Sequence, residues 1–329
     1  MAKKILIKNA TIINEEKKFI SDLLIVDTII FEIKPNIKIQ DDFEIIDATG
    51  KLLIPGIIDD QVHFREPGLT HKATIKSESK AAIAGGITSF IEMPNTIPQT
   101  TTVKELKRKF KIAEASSYAN YSFMFGATNT NLEEIKKIDK NEVAALKIFL
   151  GSSTGNMLVD DQDILRDIFL NTDLIIVVHS EDEQIINENL DKYKSKYGSN
   201  IPFEFHSKIR SEEACLKSTK KIIKLAKETN ARLHVFHLST KSESLLFDNS
   251  IPLKDKKITA EVCIHHLWFS DNDYKNKQSL IKWNPSIKTS EDRIGIWNAL
   301  LNDKIDVIAT DHAPHTIEEK SKSYLECPS

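Results

Sequence analysis

Short apolar runs recur along this chain, and several stop abruptly at an ionisable residue. Over residues 1–54 the runs are strand-sized. Ile5–Ile13, Asp22–Val26 and Glu44–Ile46 read as β-strands, punctuated by Asn9, Asn14, Asp27 and Gly50. From Pro55 the texture changes to strands alternating with helical stretches, the α/β signature. The predicted strands are Gly56–Val62, Thr88–Glu92, Tyr121–Gly126, Ala144–Phe149, Leu174–Val178, Leu233–His237, Ile258–Val262 and Asp306–Thr310. Predicted helices are Ile75–Ala84, stopped by Gly85-Gly86, then Val103–Ala113, Asn131–Ile138, Asp161–Phe169, Glu212–Glu228 and Asp292–Leu301. Eight such strands are what a (β/α)8 TIM barrel needs. An open doubly wound sheet fits less well, because no Gly-rich phosphate loop follows the first strand. The expected division is a small β part over residues 1–54 and a barrel over 55–329. A polar loop follows the last strand and the sequence ends at Ser329. The helix that should cover that strand is missing, which predicts a fragment or a layer supplied by another chain.

Composition narrows the partners. The chain has 329 residues and a formal net charge of -3, with no dominant basic stretch. Nucleic acid and anionic membrane are therefore not expected. No apolar run is long enough to span a bilayer, and MAKKILIKNA carries no signal-peptide core. Cys215, Cys263 and Cys327 lack C-x-x-C spacing. They suit a reducing cytoplasm and supply no thiolate zinc site. A small-molecule substrate is expected; a homodimer stays open.

Four polar residues stand at predicted strand ends. His63 closes the first, in PGIIDDQVHFREPG, His179 closes LIIVVH, His237 closes LHVFH and Asp311 follows DVIAT. One buried imidazole at a strand end is usually structural, because its nitrogens need partners. Several with the same placement look like metal ligands, and imidazole with carboxylate suits zinc. Asp311 could bind a metal through one oxygen and move a proton with the other. Lys147 lies between Leu146 and Ile148, where burial lowers an amine pKa. It is a carboxylate's partner, or a neutral amine able to add carbon dioxide. Arg65 is a fork-shaped donor suited to a substrate carboxylate. Asn95 and Asn284 stand at loop starts beside prolines, as turn caps or ring-amide donors. His315 suits substrate binding. His234 faces away from His237 and reads as packed, His265 and His266 as site-shaping, and His312 as a lid or packing residue. His206 has no assigned role. GSSTG, residues 151–155, lacks the G-K-[ST] ending of a phosphate cradle and reads as a flexible loop.

Taken together, PGIIDDQVHFREPG, EMPNT, LKIFLGSSTG, VVHSED, FHLST, EVCIHHLWFS, WNPSIK and ATDHAPH resemble the dihydroorotases of the amidohydrolase superfamily. The same group holds allantoinases and hydantoinases. The resemblance covers essentially the whole chain. It implies one or two zinc ions held by His63, carboxylated Lys147, His179, His237 and Asp311, with Asp311 as general acid/base. It implies that Arg65, Asn95 and His315 take the substrate's carboxylate side, with Asn284 beside the ring. The arginine two residues after His63 favours dihydroorotase, because hydantoins and allantoin lack a ring carboxylate. The implied reaction interconverts N-carbamoyl-L-aspartate and (S)-dihydroorotate. The family's first strand ends Asp-x-His-x-His, whereas this chain has Gln61 at the first histidine position. An amide oxygen is a weaker zinc ligand, so unequal metal occupancy is expected. Family members also continue into a last helix and the rest of a composite small sheet domain. A catalytically silent scaffold is the reading from a different class.

Overall fold

The chain forms strands wherever β-branched runs meet turn residues. The computed structural model describes residues 2–151 and 157–329. They fall into two compact units that divide between Ile57 and Ile58. In the first, strands β1 (Lys4–Asn14), β2 (Lys17–Val26), β3 (Ile29–Lys34) and β4 (Phe43–Asp47) lie in the order β3-β2-β1-β4. A short β5 (Leu52–Leu53) pairs with β1. The β1–β2 pair is antiparallel and shifts register between Ile7 and Ala10. At that irregularity Asn9 has φ 56°, and its N–H donates to Asp22 Oδ1 at 2.9 Å. Leu6, Leu24 and Ile37 form a small core. Much of β3 is exposed, as an edge strand of an open sheet can be.

The second unit is an eight-stranded parallel barrel. Its strands are β6 (Ile57–Val62), β7 (Ile87–Glu92), β8 (Asn120–Gly126), β9 (Ala145–Phe149), β10 (Ile176–His179), β11 (Leu233–Val235), β12 (Ile258–Cys263) and β13 (Val307–Ala309). They run in unbroken order from β6 to β13. The ends meet where Val62 bridges His312 and the His63 N–H donates to the His312 carbonyl at 2.8 Å. Asp59 reinforces that seam by accepting from the Thr310 hydroxyl at 2.6 Å and its N–H at 3.2 Å.

Alternation sorts the side chains into two layers. Phe123, Phe125, Leu146, Ile148, Ile176, Val178, Leu233 and Val235 pack outward against the helices. Met124, Ala145, Val177 and Phe236 form a separate cluster on the opposite face, inside the barrel. Lys147 and His179 share that inner face by the same period of two. Helices begin at side-chain caps: Thr74 before Ile75–Ala84, Ser211 before Glu212–Thr229 and Thr289 before Ser290–Leu301. The expected helix over Asn131–Ile138 shrinks to Leu132–Ile135 and continues as tighter turns to Ile138. Glu183–Tyr197 adds a helix the hydrophobic pattern did not predict. Among the described residues no helix is long and apolar enough to cross a membrane.

Candidate metal and substrate site

The barrel brings the polar strand-end residues together. Gln61, His63, Arg65, Lys147, His179, His237, Asn284 and Asp311 all line one small cavity of about 40 Å³. Gln61, His63 and Arg65 come from the end of β6 and the loop after it, Lys147 from β9, His179 from the end of β10, and His237 and Asp311 from just past β11 and β13, the strand ends that face the active site in barrels of this type; Asn284 comes from the connection between β12 and β13. Three of them use left-handed backbone just past a strand end: Arg65 at φ 68°, His237 at 39° and Asp311 at 48°. Such a conformation costs a non-glycine residue about 1–3 kcal/mol. Surrounding contacts hold it: Arg65 bonds to Pro314 and His315, the His237 N–H donates to Glu261, and Asp311 lies against His63. The expected strand through His237 stops at Val235 because of this backbone turn.

Two pairs organise the site. His63 Nε2 lies 3.0 Å from Asp311 Oδ1, and His63 Nδ1 lies 2.8 Å from Asn95 Oδ1. Asn95 therefore backs His63, and its own Nδ2 is buried without a hydrogen-bond partner. His179 Nδ1 lies 3.1 Å from His237 Nε2, with the rings at 79°. His237 Nδ1 is buried with no hydrogen-bond partner. On its far side, His179 Nε2 lies 2.8 Å from Glu181 Oε2, which also receives the Arg210 guanidinium. Lys147 is 1 % exposed, and its amine sits over the rings of Phe236 and Phe149 at 4.1 and 4.8 Å.

The electrostatics favour neutral nitrogen donors and charged oxygens. Burial lowers the pKa of His63, His179 and His237, the last well below its ordinary value. Burial brings Lys147 down to about 7, so its amine is neutral over half the time at slightly alkaline pH. Burial pushes Asp311 up, but the His63 hydrogen bond and charge outweigh it and hold the carboxyl below its usual value. Glu181 is opposed by burial, yet Arg210 and His179 keep it well below the carboxylate range. Two imidazoles meeting nitrogen to nitrogen, an orphaned His237 Nδ1 and an ionised Asp311 fit a divalent ion. Ligand atoms around zinc lie roughly 3.3 Å apart when the bonds are near 2.0 Å.

The remaining sequence candidates have defined places. Arg65 donates from Nε to the Pro314 carbonyl at 3.0 Å and from Nη2 to His315 Nε2 at 2.9 Å. Burial and the charges of Arg65 and Lys72 lower His315 to about 3, so its ring accepts as a neutral base. Asn284 donates to Ser329 Oγ at 2.6 Å and leaves Oδ1 unpartnered. Gln61 is 1 % exposed, and its amide oxygen receives the Cys263 thiol at 3.5 Å. His265 stacks on Trp283, and His266 Nε2 meets the Pro285 carbonyl at 3.1 Å. His206 joins Tyr324 to the Trp283 carbonyl. His312 meets Glu78 at 2.5 Å. Of the loop expected over residues 151–155, all but Gly151 lies outside the described residues.

Sequence reasoning missed Glu181 and Arg210, which hold His179. The signal was a carboxylate two residues beyond a strand-end histidine. It also missed a cluster able to chelate a metal ion, formed by Asp60, His234 and Glu261. His234 was expected only to pack. This cluster shares no residue with the ligand set read from the strand ends.

Comparison with known proteins agrees with the geometry. The model of the amidohydrolase family matches residues 52–327. The chain is 31% identical over 336 residues to a dihydroorotase of Methanosarcina acetivorans, covering 98% of this chain and 70% of that protein. It is 34% identical over 336 residues to a dihydroorotase of Carboxydothermus hydrogenoformans, covering 98% and 74%. Among solved structures, an L-hydantoinase (dihydropyrimidinase) from Arthrobacter aurescens superposes with a TM-score of 0.89 at 26% identity, covering 97% of this chain and 71% of that one. A D-hydantoinase from Thermus sp. shares the fold at a TM-score of 0.86 and 24% identity, covering 99% and 73%.

Proposed function

The chain belongs to the amidohydrolase family, and we propose that within it the protein is a zinc-dependent dihydroorotase. It would interconvert N-carbamoyl-L-aspartate and (S)-dihydroorotate. The observation that carries this reading is Arg65, a buried guanidinium lining the same cavity as the His63–Asp311 pair. A fixed cation beside a hydrolytic centre selects a substrate that bears a carboxylate. The relatives named dihydroorotase at 31% and 34% identity support it.

His63, Lys147, His179, His237 and Asp311 would hold the metal. When bound, a divalent ion polarises the amide carbonyl and acidifies water. The amine of Lys147, being neutral at slightly alkaline pH, can add carbon dioxide; an N–C bond forms, one proton leaves and an anionic carbamate results. That group supplies negative charge where a protonated amine would repel a cation. Gln61 replaces an imidazole, so occupancy of a second ion is unequal. Asp311, ionised in the resting state, takes the proton of the attacking water and delivers it to the ring nitrogen as the C–N bond breaks. In the cyclising direction the ureido nitrogen attacks the side-chain carboxyl carbon, and Asp311 returns the proton to the departing oxygen. Arg65 and His315 bind the retained carboxylate, Asn95 offers its free Nδ2 to the same side, and Asn284 lies beside the ring. Glu181 positions His179 and touches no substrate.

A hydantoinase or dihydropyrimidinase is the second reading, favoured by the fold likeness to the Arthrobacter aurescens enzyme. Allantoinase belongs with it, and a silent scaffold would turn over none of these substrates. The reading places the reaction in the cytoplasm, with a homodimer to be sought by light scattering. The test is chelation and reconstitution. Dihydroorotate turnover should vanish on metal removal and return with zinc. Turnover that survives complete metal removal contradicts the proposal.

A further inference from the structure

Inside the barrel, toward the N-terminal ends of the strands, lies a second convergence of ligand atoms. Asp60 of β6, His234 of β11 and Glu261 of β12 each offer one atom, all within 4.8 Å of one another. His234 Nε2 is 3.8 Å from Asp60 Oδ2 and 3.6 Å from Glu261 Oε2. These spacings are too long for hydrogen bonds. They sit close to the separation of roughly 3.3–3.6 Å between neighbouring ligands of one tetrahedral ion with bonds of 2.0–2.2 Å.

The hydrogen bonding around the cluster leaves the facing atoms of His234 and Glu261 bare. His234 Nδ1 lies 2.7 Å from Thr259 Oγ1, and the Thr259 hydroxyl itself reaches the Leu233 carbonyl at 3.5 Å. Thr259 therefore accepts from Nδ1–H, and the Nε2 lone pair is left to face two carboxylates. Such an outer contact is how a ligating histidine has its tautomer set. His234 is 6 % exposed and Glu261 is 0 % exposed. His234 Nε2 and Glu261 Oε2 have no hydrogen-bond partner, nor does Oδ1 of the partly buried Asp60 carboxylate, whose other oxygen faces His234. Buried lone pairs that face one another at this spacing are stabilised by a cation or a proton between them.

We propose that Asp60, His234 and Glu261 form a second, structural site for a divalent transition-metal ion of the zinc class. It is separate from the site at the opposite end of the strands and holds whether or not the protein is a dihydroorotase. One imidazole and two carboxylates suit zinc and neutralise its charge. The ion ties β6 to β11 and β12 across the barrel interior. It has a route in, because Asp60 and His234 line a cavity of about 590 Å³ that also includes the strand starts at Ala145, Leu233 and Val307. Lys256 at that mouth is paired with Asp306 at 2.6 Å, so its charge is offset. Glu261 is also the wall between the two sites. Its Oε1 accepts from the His237 N–H at 3.3 Å and from the Cys263 thiol at 3.5 Å.

The test uses zinc as the probe. Crystals of the protein equilibrated with zinc should show an anomalous peak among Asp60, His234 and Glu261, distinct from any peak at His179 and His237. In solution, His234→Gln should bind one equivalent fewer than the parent protein. Anomalous density at the upper site alone overturns the proposal, as does contraction of the three side chains into direct hydrogen bonds through a shared proton. The wild-type map decides the question even if His234→Gln fails to fold. Zinc in the lower site with none above would sink the proposed function and leave this inference standing.

Discussion

Replacing Arg65 with methionine removes the guanidinium while keeping an unbranched side chain at a residue with φ 68°. Arginine and methionine meet the same backbone cost there, so the substitution adds no new strain. What is lost is the two bonds to Pro314 and His315 and, on the proposed function, the charge that would face the substrate carboxylate. Truncating one partner of a buried, hydrogen-bonded charge pair costs about 2–5 kcal/mol. At about 1.4 kcal/mol per tenfold, that is a fall of roughly 30- to 4,000-fold in kcat/KM for dihydroorotate. Dihydrouracil has the same ring amide without the carboxylate, so its slow turnover should change only a few-fold. Arg65→Lys keeps the charge but loses the fork and should fall between. The assay is ring opening of both substrates by the same preparations, below the melting temperature of the variant. Equal losses on both substrates would make Arg65 structural. An unchanged kcat/KM for dihydroorotate would refute the reasoning outright.

Three further outcomes follow from the geometry. Asn95→Asp keeps an oxygen for His63 but removes the Nδ2 donor, so KM should rise with metal affinity retained; Asn95→Ala should also weaken metal binding about 10–100-fold. Metal titration that shows no difference between the two variants would separate Asn95 from His63. The lowered Lys147 pKa has a stability consequence: between about pH 7 and its ordinary 10.5 the unfolded chain holds a proton that the folded chain lacks. Metal-free protein should therefore gain stability as pH rises through that window, by up to about 1.4 kcal/mol per pH unit, and a Lys147→Met protein with the same slope would contradict this. Lys109, buried against Glu92 and donating to the Met93 carbonyl at 2.7 Å, should cost about 3–5 kcal/mol when changed to methionine. Adding Glu92→Leu should restore most of that loss in urea melts, and failure to do so would show that packing dominates.

The barrel was legible because its strands are apolar on both faces and end at ionisable residues. Each predicted barrel strand has an observed counterpart within two residues at either end, whereas the predicted Asp22–Val26 begins five residues earlier, at Lys17. The helix at Glu183–Tyr197 escaped because only Ile186 of its fifteen residues is buried, so no apolar stripe marks it. Strand β3 escaped because it is an exposed edge. The upper site was legible in part, since strand-end placement finds His63, His179, His237 and Asp311 without contacts. Partners that act from behind were not. Glu181 is fixed by Arg210, which lies on a different segment, and only tertiary structure joins them. His234 was expected to face away from His237 and only pack; it points into the barrel instead, because His237 reaches the same interior through left-handed backbone past the strand end, and the acids His234 meets come from β6 and β12.

The most direct measurement is kcat/KM of the metal-loaded protein on dihydroorotate, dihydrouracil, hydantoin and allantoin, side by side in one preparation. Dihydroorotate should be preferred by at least the roughly 30-fold that a buried carboxylate contact supplies. A preference for dihydrouracil or hydantoin would contradict the assignment of Arg65 and move the protein to the hydantoinase branch of its family.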